Sequence, residues 1–79
     1  MNENIKAMCL ELAELALETE GVDIAVSNYR IAVSHYSYKF RKLKTIYFDN
    51  ISFIEKDAEQ RIKKALDYVR DLGGNKDES

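Results

Sequence analysis

The sequence predicts an all-α fold: a three-helix antiparallel bundle with coiled-coil-like heptad packing that self-associates. Three observations lead there. Proline is absent and glycine occurs only at Gly21, Gly73 and Gly74, so long stretches carry no helix breaker. Apolar residues recur at steps of three and four along most of the chain. A second apolar stripe lies roughly opposite the first.

The first helix is expected over about 3–20, where Ile5, Met8, Leu12 and Leu15 fall on one helical face. The stretch "ETEGVDI" then offers both helix-end chemistries. Gly21 suits a left-handed cap, Val22 is the apolar residue after it, and Asp23 is a cap for the next helix. The alternative is a helix running straight through Gly21, at a cost of about 1 kcal/mol relative to alanine. The second helix is expected over about 23–48, continuing the seam through Val22, Val26, Tyr29, Val33, Tyr36, Phe40, Leu43 and Tyr47. At "FDNISFIE" the seam changes phase, and Ser52 followed by Glu55 forms a capping box, with Asp49 and Asn50 as weaker cap candidates. The third helix is expected over about 52–72, carried by Ile54, Ala58, Ile62, Ala65, Val69 and Leu72. It should stop at Gly73-Gly74, leaving 73–79 as a disordered polar tail.

Seventy-nine residues make one domain, and a monomer of this size hides only about 60% of the surface its unfolded chain exposes. With 46% hydrophobic residues, the chain has more apolar side chain than such a monomer covers easily. The second stripe, Leu10, Leu17, Ile24, Ile31 and Tyr38, repeats every seven residues. Two apolar faces on one helix call for a further packing layer, so a homo-oligomer, dimer or higher, or a docked protein partner is expected.

The formal charge of −2 conceals an uneven distribution. Residues 1–28 hold six acids against one lysine, 29–48 hold five bases and no acid, and 49–79 hold eight acids and six bases. The five bases, Arg30, Lys39, Arg41, Lys42 and Lys44, are candidate contacts to phosphates or to an acidic partner. On a helical register the seam aromatics turn away from these cations, which disfavours base stacking. A nucleic-acid-binding protein therefore stays the alternative to a protein-interaction module.

Catalytic chemistry finds little support. His35 is the only histidine and Cys9 the only cysteine, so neither a His-based nor a Cys-based metal cage can form. Ser34, His35 and Asp49 do not converge if they share one helix. No catalytic, cofactor or metal residue is assigned. The expected function is a non-enzymatic regulator or inhibitor that docks on a partner protein, with a small ligand between helices as a weaker third option. The single cysteine fits a reducing compartment, and no signal peptide or membrane span is readable, so a cytoplasmic location is expected.

Overall fold

In the computed structural model, which describes residues 3–39 and 42–78, the chain runs α1 (Glu3–Glu18), β1 (Val22–Val26), β2 (Arg30–Lys39), β3 (Lys42–Ser52) and α2 (Ala58–Glu78). The strands form one antiparallel sheet in the order β1-β2-β3. The architecture is thus α+β, and the all-α bundle with its coiled-coil seam is overturned. The segment expected to be the second helix, 23–48, supplies two strands and most of a third.

Side-chain chemistry explains the difference. Residues 22–53 are dominated by Val, Ile, Thr, Tyr and Phe, which fit a pleated surface, whereas α1 and α2 are built from Ala, Leu, Glu, Lys and Gln. Val22-Ile24-Val26 and Ile31-Val33 also alternate with period two. A three-four seam can be traced through such a segment only because apolar residues there are so dense.

The turns place the strands. After α1, Gly21 takes φ 85°, a left-handed conformation, and a Cβ there would meet the Tyr36 carbonyl oxygen at 2.6 Å. Its own carbonyl accepts a hydrogen bond from the Tyr36 amide at 2.8 Å, so glycine is required at this close approach. Between β1 and β2 the chain reverses at Asn28-Tyr29, closed by the Ser27 amide donating to the Arg30 carbonyl at 2.9 Å. The capping box expected at Ser52 is instead a turn: the Glu55 amide donates to the Ser52 carbonyl and the Ala58 amide to the Glu55 carbonyl. Asp57 then precedes the first residue of α2, where an aspartate suits a helix start. At its other end α2 continues through Gly73 and Gly74 to Glu78 rather than stopping at Leu72.

Residues paired across an antiparallel sheet share a face. One face carries Val22-His35-Tyr47, Ile24-Val33-Asp49 and Val26-Ile31-Ile51. Both helices pack on it. The core unites Ile5, Cys9 and Leu12 of α1, Ile31, Val33 and Ile51 of the sheet, and Ala58, Ile62, Ala65, Leu66 and Val69 of α2. The open face carries Asp23-Ser34-Phe48 and Ala25-Ala32-Asn50.

Register shifts between His35 and Tyr36, where Tyr36 pairs with Thr45 and Ile46 is left as the extra residue of a bulge. Beyond that point β1 has ended, and the sheet narrows to a two-stranded ribbon of residues 36–39 and 42–45.

Leu12 is fully buried between the sheet and α2, while Leu17 on the same helix is 90% exposed. Leu12→Ala should lower stability by about 2 to 5 kcal/mol, and Leu17→Ala should stay within about 0.5 kcal/mol of the parent. Urea unfolding of both variants checks this ordering.

Candidate interaction surface

The residues of the expected apolar stripe are distributed over three environments. Leu10 and Leu17 lie on the outer face of α1, 59% and 90% exposed. Ile24 on β1 is half-buried against the core, and Ile31 on β2 is a core residue with no exposure. Tyr38 sits on β2, paired with Leu43, and its side chain lies outside the described residues. The five therefore do not form one surface stripe, because the helix thought to carry the last three is strand.

The basic residues divide as well. Arg30 opens β2, with its guanidinium 5.6 Å from the centre of the Tyr29 ring. Lys39 ends β2, and its backbone pairs with Lys42. Arg41 and the seam residue Phe40 lie outside the described residues. Lys42 and Lys44 are exposed on β3.

Two surfaces emerge from this placement. One is the outer face of α1, where helical spacing brings together Glu3, Lys6, Ala7, Leu10, Glu14, Leu17 and Glu18, all exposed. The other is β3 from Lys42 to Phe48. Leu43, Ile46 and Phe48 are 66%, 52% and 60% exposed there, and β3 is an edge strand paired only with β2. Its outward amides and carbonyls have no sheet partner among the described residues. The extra residue at Ile46 changes the phase of the alternation, so Leu43 and Phe48, on either side of the bulge, both fall on the open face of the sheet while Lys42 and Lys44 lie on the other side of the ribbon. The exposure of Leu43 and Ile46 was not evident from the heptad pattern, nor does a period-two reading of "KLKTIYF" give it, because the bulge at Ile46 changes the phase of the alternation.

The charged contacts within the fold are few. Arg61 of α2 donates to both Asp49 oxygens, with Nε at 3.3 Å from one of them, and also to Glu55. The hydrogen bond that Arg61 donates to Asp49 raises the Arg61 pKa, desolvation opposes it, and the charges of Asp49, Glu55 and Asp57 raise it further. Arg70 donates to Glu11 at 2.7 Å and lies 3.7 Å from Asp67. Among the described residues, Glu3, Glu14 and Glu18 on α1 and Lys42 and Lys44 on β3 have no ion-pair partner.

Polar and aromatic side chains meet where α2 packs on the sheet. His35 Nδ1 lies 2.6 Å from the Tyr68 hydroxyl, and the Tyr68 ring stacks on Tyr47 with centroids 4.3 Å apart and planes at 17°. Burial pushes the Tyr47 hydroxyl pKa up, Asp49 and Tyr68 push it further, and Arg61 opposes them. Ser34 and His35 are adjacent on β2 and so face opposite sides of the sheet, while Asp49 is engaged by Arg61. Hence Ser34, His35 and Asp49 do not converge on a reacting atom. Among the described residues no group of three or more His, Cys, Asp or Glu side chains is placed to hold a metal ion. An open apolar cleft of about 330 Å³ lies beside α1, lined by Lys6, Cys9, Leu10, Ala13 and Val26.

The fold and surface together define a small α+β domain with one covered and one open sheet face. The chain matches no protein-family model, no curated protein and no solved structure.

Cys9 is a free, buried thiol whose pKa is raised by desolvation. The folded state therefore holds the thiol proton more tightly than the unfolded chain does. That contribution to stability is complete below the unfolded thiol value, about 8.5, and is lost as pH rises through the higher folded value. The urea midpoint should fall between pH 7.5 and 9.5, and Cys9→Ala should show a smaller fall. Alkylation by iodoacetamide at pH 8 should be at least tenfold slower in buffer than in denaturing urea.

Proposed function

We propose that this chain is a non-enzymatic protein-interaction module, a small regulator or inhibitor that self-associates and docks on a partner protein. The observation that carries this reading is the placement of its exposed apolar side chains. Leu43, Ile46 and Phe48 are exposed on β3, whose outer edge has no strand partner among the described residues, and Leu10 and Leu17 share one face of α1. Single exposed leucines are ordinary on a protein surface, whereas apolar residues grouped along an open strand edge are an association surface. A standard interface takes about 800 Å² from each partner, a modest part of the 5943 Å² this chain exposes.

No helix among the described residues is long and apolar enough to cross a membrane. A cytoplasmic setting agrees with the single reduced thiol at Cys9. Sedimentation equilibrium at micromolar concentrations tests the module. The parent should show a concentration-dependent mass above one chain, and Phe48→Asp should lower it toward one chain while far-UV circular dichroism stays unchanged. A parent mass of one chain at every concentration would remove self-association from the reading.

One observation favours a second reading, nucleic-acid binding: Lys42 and Lys44 are exposed and free of ion pairs among the described residues. Against it, the apolar side chains Leu43 and Phe48 occupy the opposite side of the ribbon, so the ring and the cations do not meet one strand together. The net charge of −2 also opposes it. Fluorescence anisotropy with labelled single- and double-stranded oligonucleotides at 100 mM salt should show no saturable binding below about 1 μM. Tighter binding that weakens roughly a hundredfold between 50 and 200 mM salt, as about four phosphate contacts require, would make nucleic acid the partner.

A further inference from the structure

The acidic outer face of α1 and the basic β3 edge are complementary surfaces that the fold leaves apart. Each combines exposed apolar side chains with charges that have no ion-pair partner among the described residues: Leu10, Leu17, Glu14 and Glu18 on one, Leu43, Ile46, Phe48, Lys42 and Lys44 on the other. We propose that α1 of a second copy of this chain lies along the β3 edge, and that the exchange is reciprocal. The inference rests on the self-association proposed above and names its surfaces.

The patterns of the two surfaces agree. On α1, Glu14 and Glu18 are one turn apart, about 6 Å, and lie to one side of the Leu10-Leu17 line. On β3, Lys42 and Lys44 are two residues apart, about 7 Å, on one side of the ribbon, with Leu43 and Phe48 on the other. A helix lying along the edge thus sets its leucines against Leu43, Ile46 and Phe48 while its carboxylates reach the lysines. It also covers an open strand edge in the way that helices do within single folds. Direct pairing of β3 with its own copy is opposed by charge, because it crowds the basic segments of both chains into a region with no acid between residues 29 and 48. In a reciprocal pair with two-fold symmetry each copy gives one helix and receives one, so the interface closes.

A charge swap tests this. Glu14→Lys/Glu18→Lys and Lys42→Glu/Lys44→Glu alter exposed positions, so both variants should keep the parent's circular dichroism and urea midpoint. In sedimentation at 50 mM salt each variant alone should associate at least tenfold more weakly than the parent. An equimolar mixture should recover the parent's affinity, because in the mixed pair both helix-to-edge contacts again join opposite charges. Parent association should weaken at 500 mM salt. Four outcomes overturn the proposal. If the mixture stays as weak as the separate variants, the two surfaces do not meet. If the α1 variant associates like the parent while the β3 variant associates more tightly, β3 pairs with β3. If both variants associate like the parent, another surface is responsible and the interaction-module reading survives without this one. A single-chain mass for the parent overturns the proposal together with self-association.

Discussion

The packing of Ile31 and Val33 against both helices is the constraint on which the rest of the molecule depends. These two side chains stand on the central strand, on the side where α1 and α2 meet, and neither has any exposure. Ile51 on β3 and Leu12 on α1 complete the layer, and Ile62, Ala65 and Val69 close it from α2. Because strand side chains alternate, fixing Ile31 and Val33 inward also fixes Ala32 and Ser34 outward. That single choice of face decides what the open side of the sheet presents. A slip of one residue would turn Ile31 and Val33 away from the helices and set the small Ala32 and Ser34 in their place, so the register is held strongly where helices lie above it. It is held weakly in the ribbon, where no third strand pairs with β2.

Polar contacts orient the helices on this layer more than they stabilise it. Arg61 ties α2 to β3 through Asp49 and to the preceding turn through Glu55, at partial exposure. Arg70 joins α2 to α1 through Glu11 at about half exposure, where such a pair contributes roughly 0 to 1 kcal/mol. The stacked Tyr47 and Tyr68 rings and the His35 hydrogen bond extend the α2 contact toward the ribbon. These contacts set which face of α2 looks down, while the burial of Leu66 and its neighbours supplies the driving force.

The two helices were legible in the sequence because each is made of good helix formers with apolar residues at three-four spacing. Ile5, Met8, Leu12 and Leu15 mark the apolar face of α1, where Cys9 joins them in the core, and Ala58, Ile62, Ala65 and Val69 mark that of α2. The sheet was not, since Val22, Val26, Tyr29, Val33 and Tyr36 satisfy a three-four spacing and a strand pattern at once. Residue type was the arbiter: β-branched and aromatic side chains outweigh spacing where both patterns can be drawn. The candidate surface was legible only in part. Leu10 and Leu17 are exposed whichever fold follows, but Ile31 moves from a supposed outer stripe to the centre of the core. The opposed charge of the first two segments could be read directly. That they are not neutralised against each other within one fold required the three-dimensional arrangement.

The contact between Gly21 and Tyr36 gives the ribbon a fixed root. The Tyr36 amide is held by the Gly21 carbonyl at the very step where the β3 bulge shifts the register. Below this point the strands are clamped under two helices; above it they have only each other. The Gly21 contact therefore joins the root of the ribbon to the turn after α1 through backbone alone. The ribbon and α1, which carry the opposed charges, thus share one anchoring point at Gly21, so a side chain introduced there would disturb the base of both.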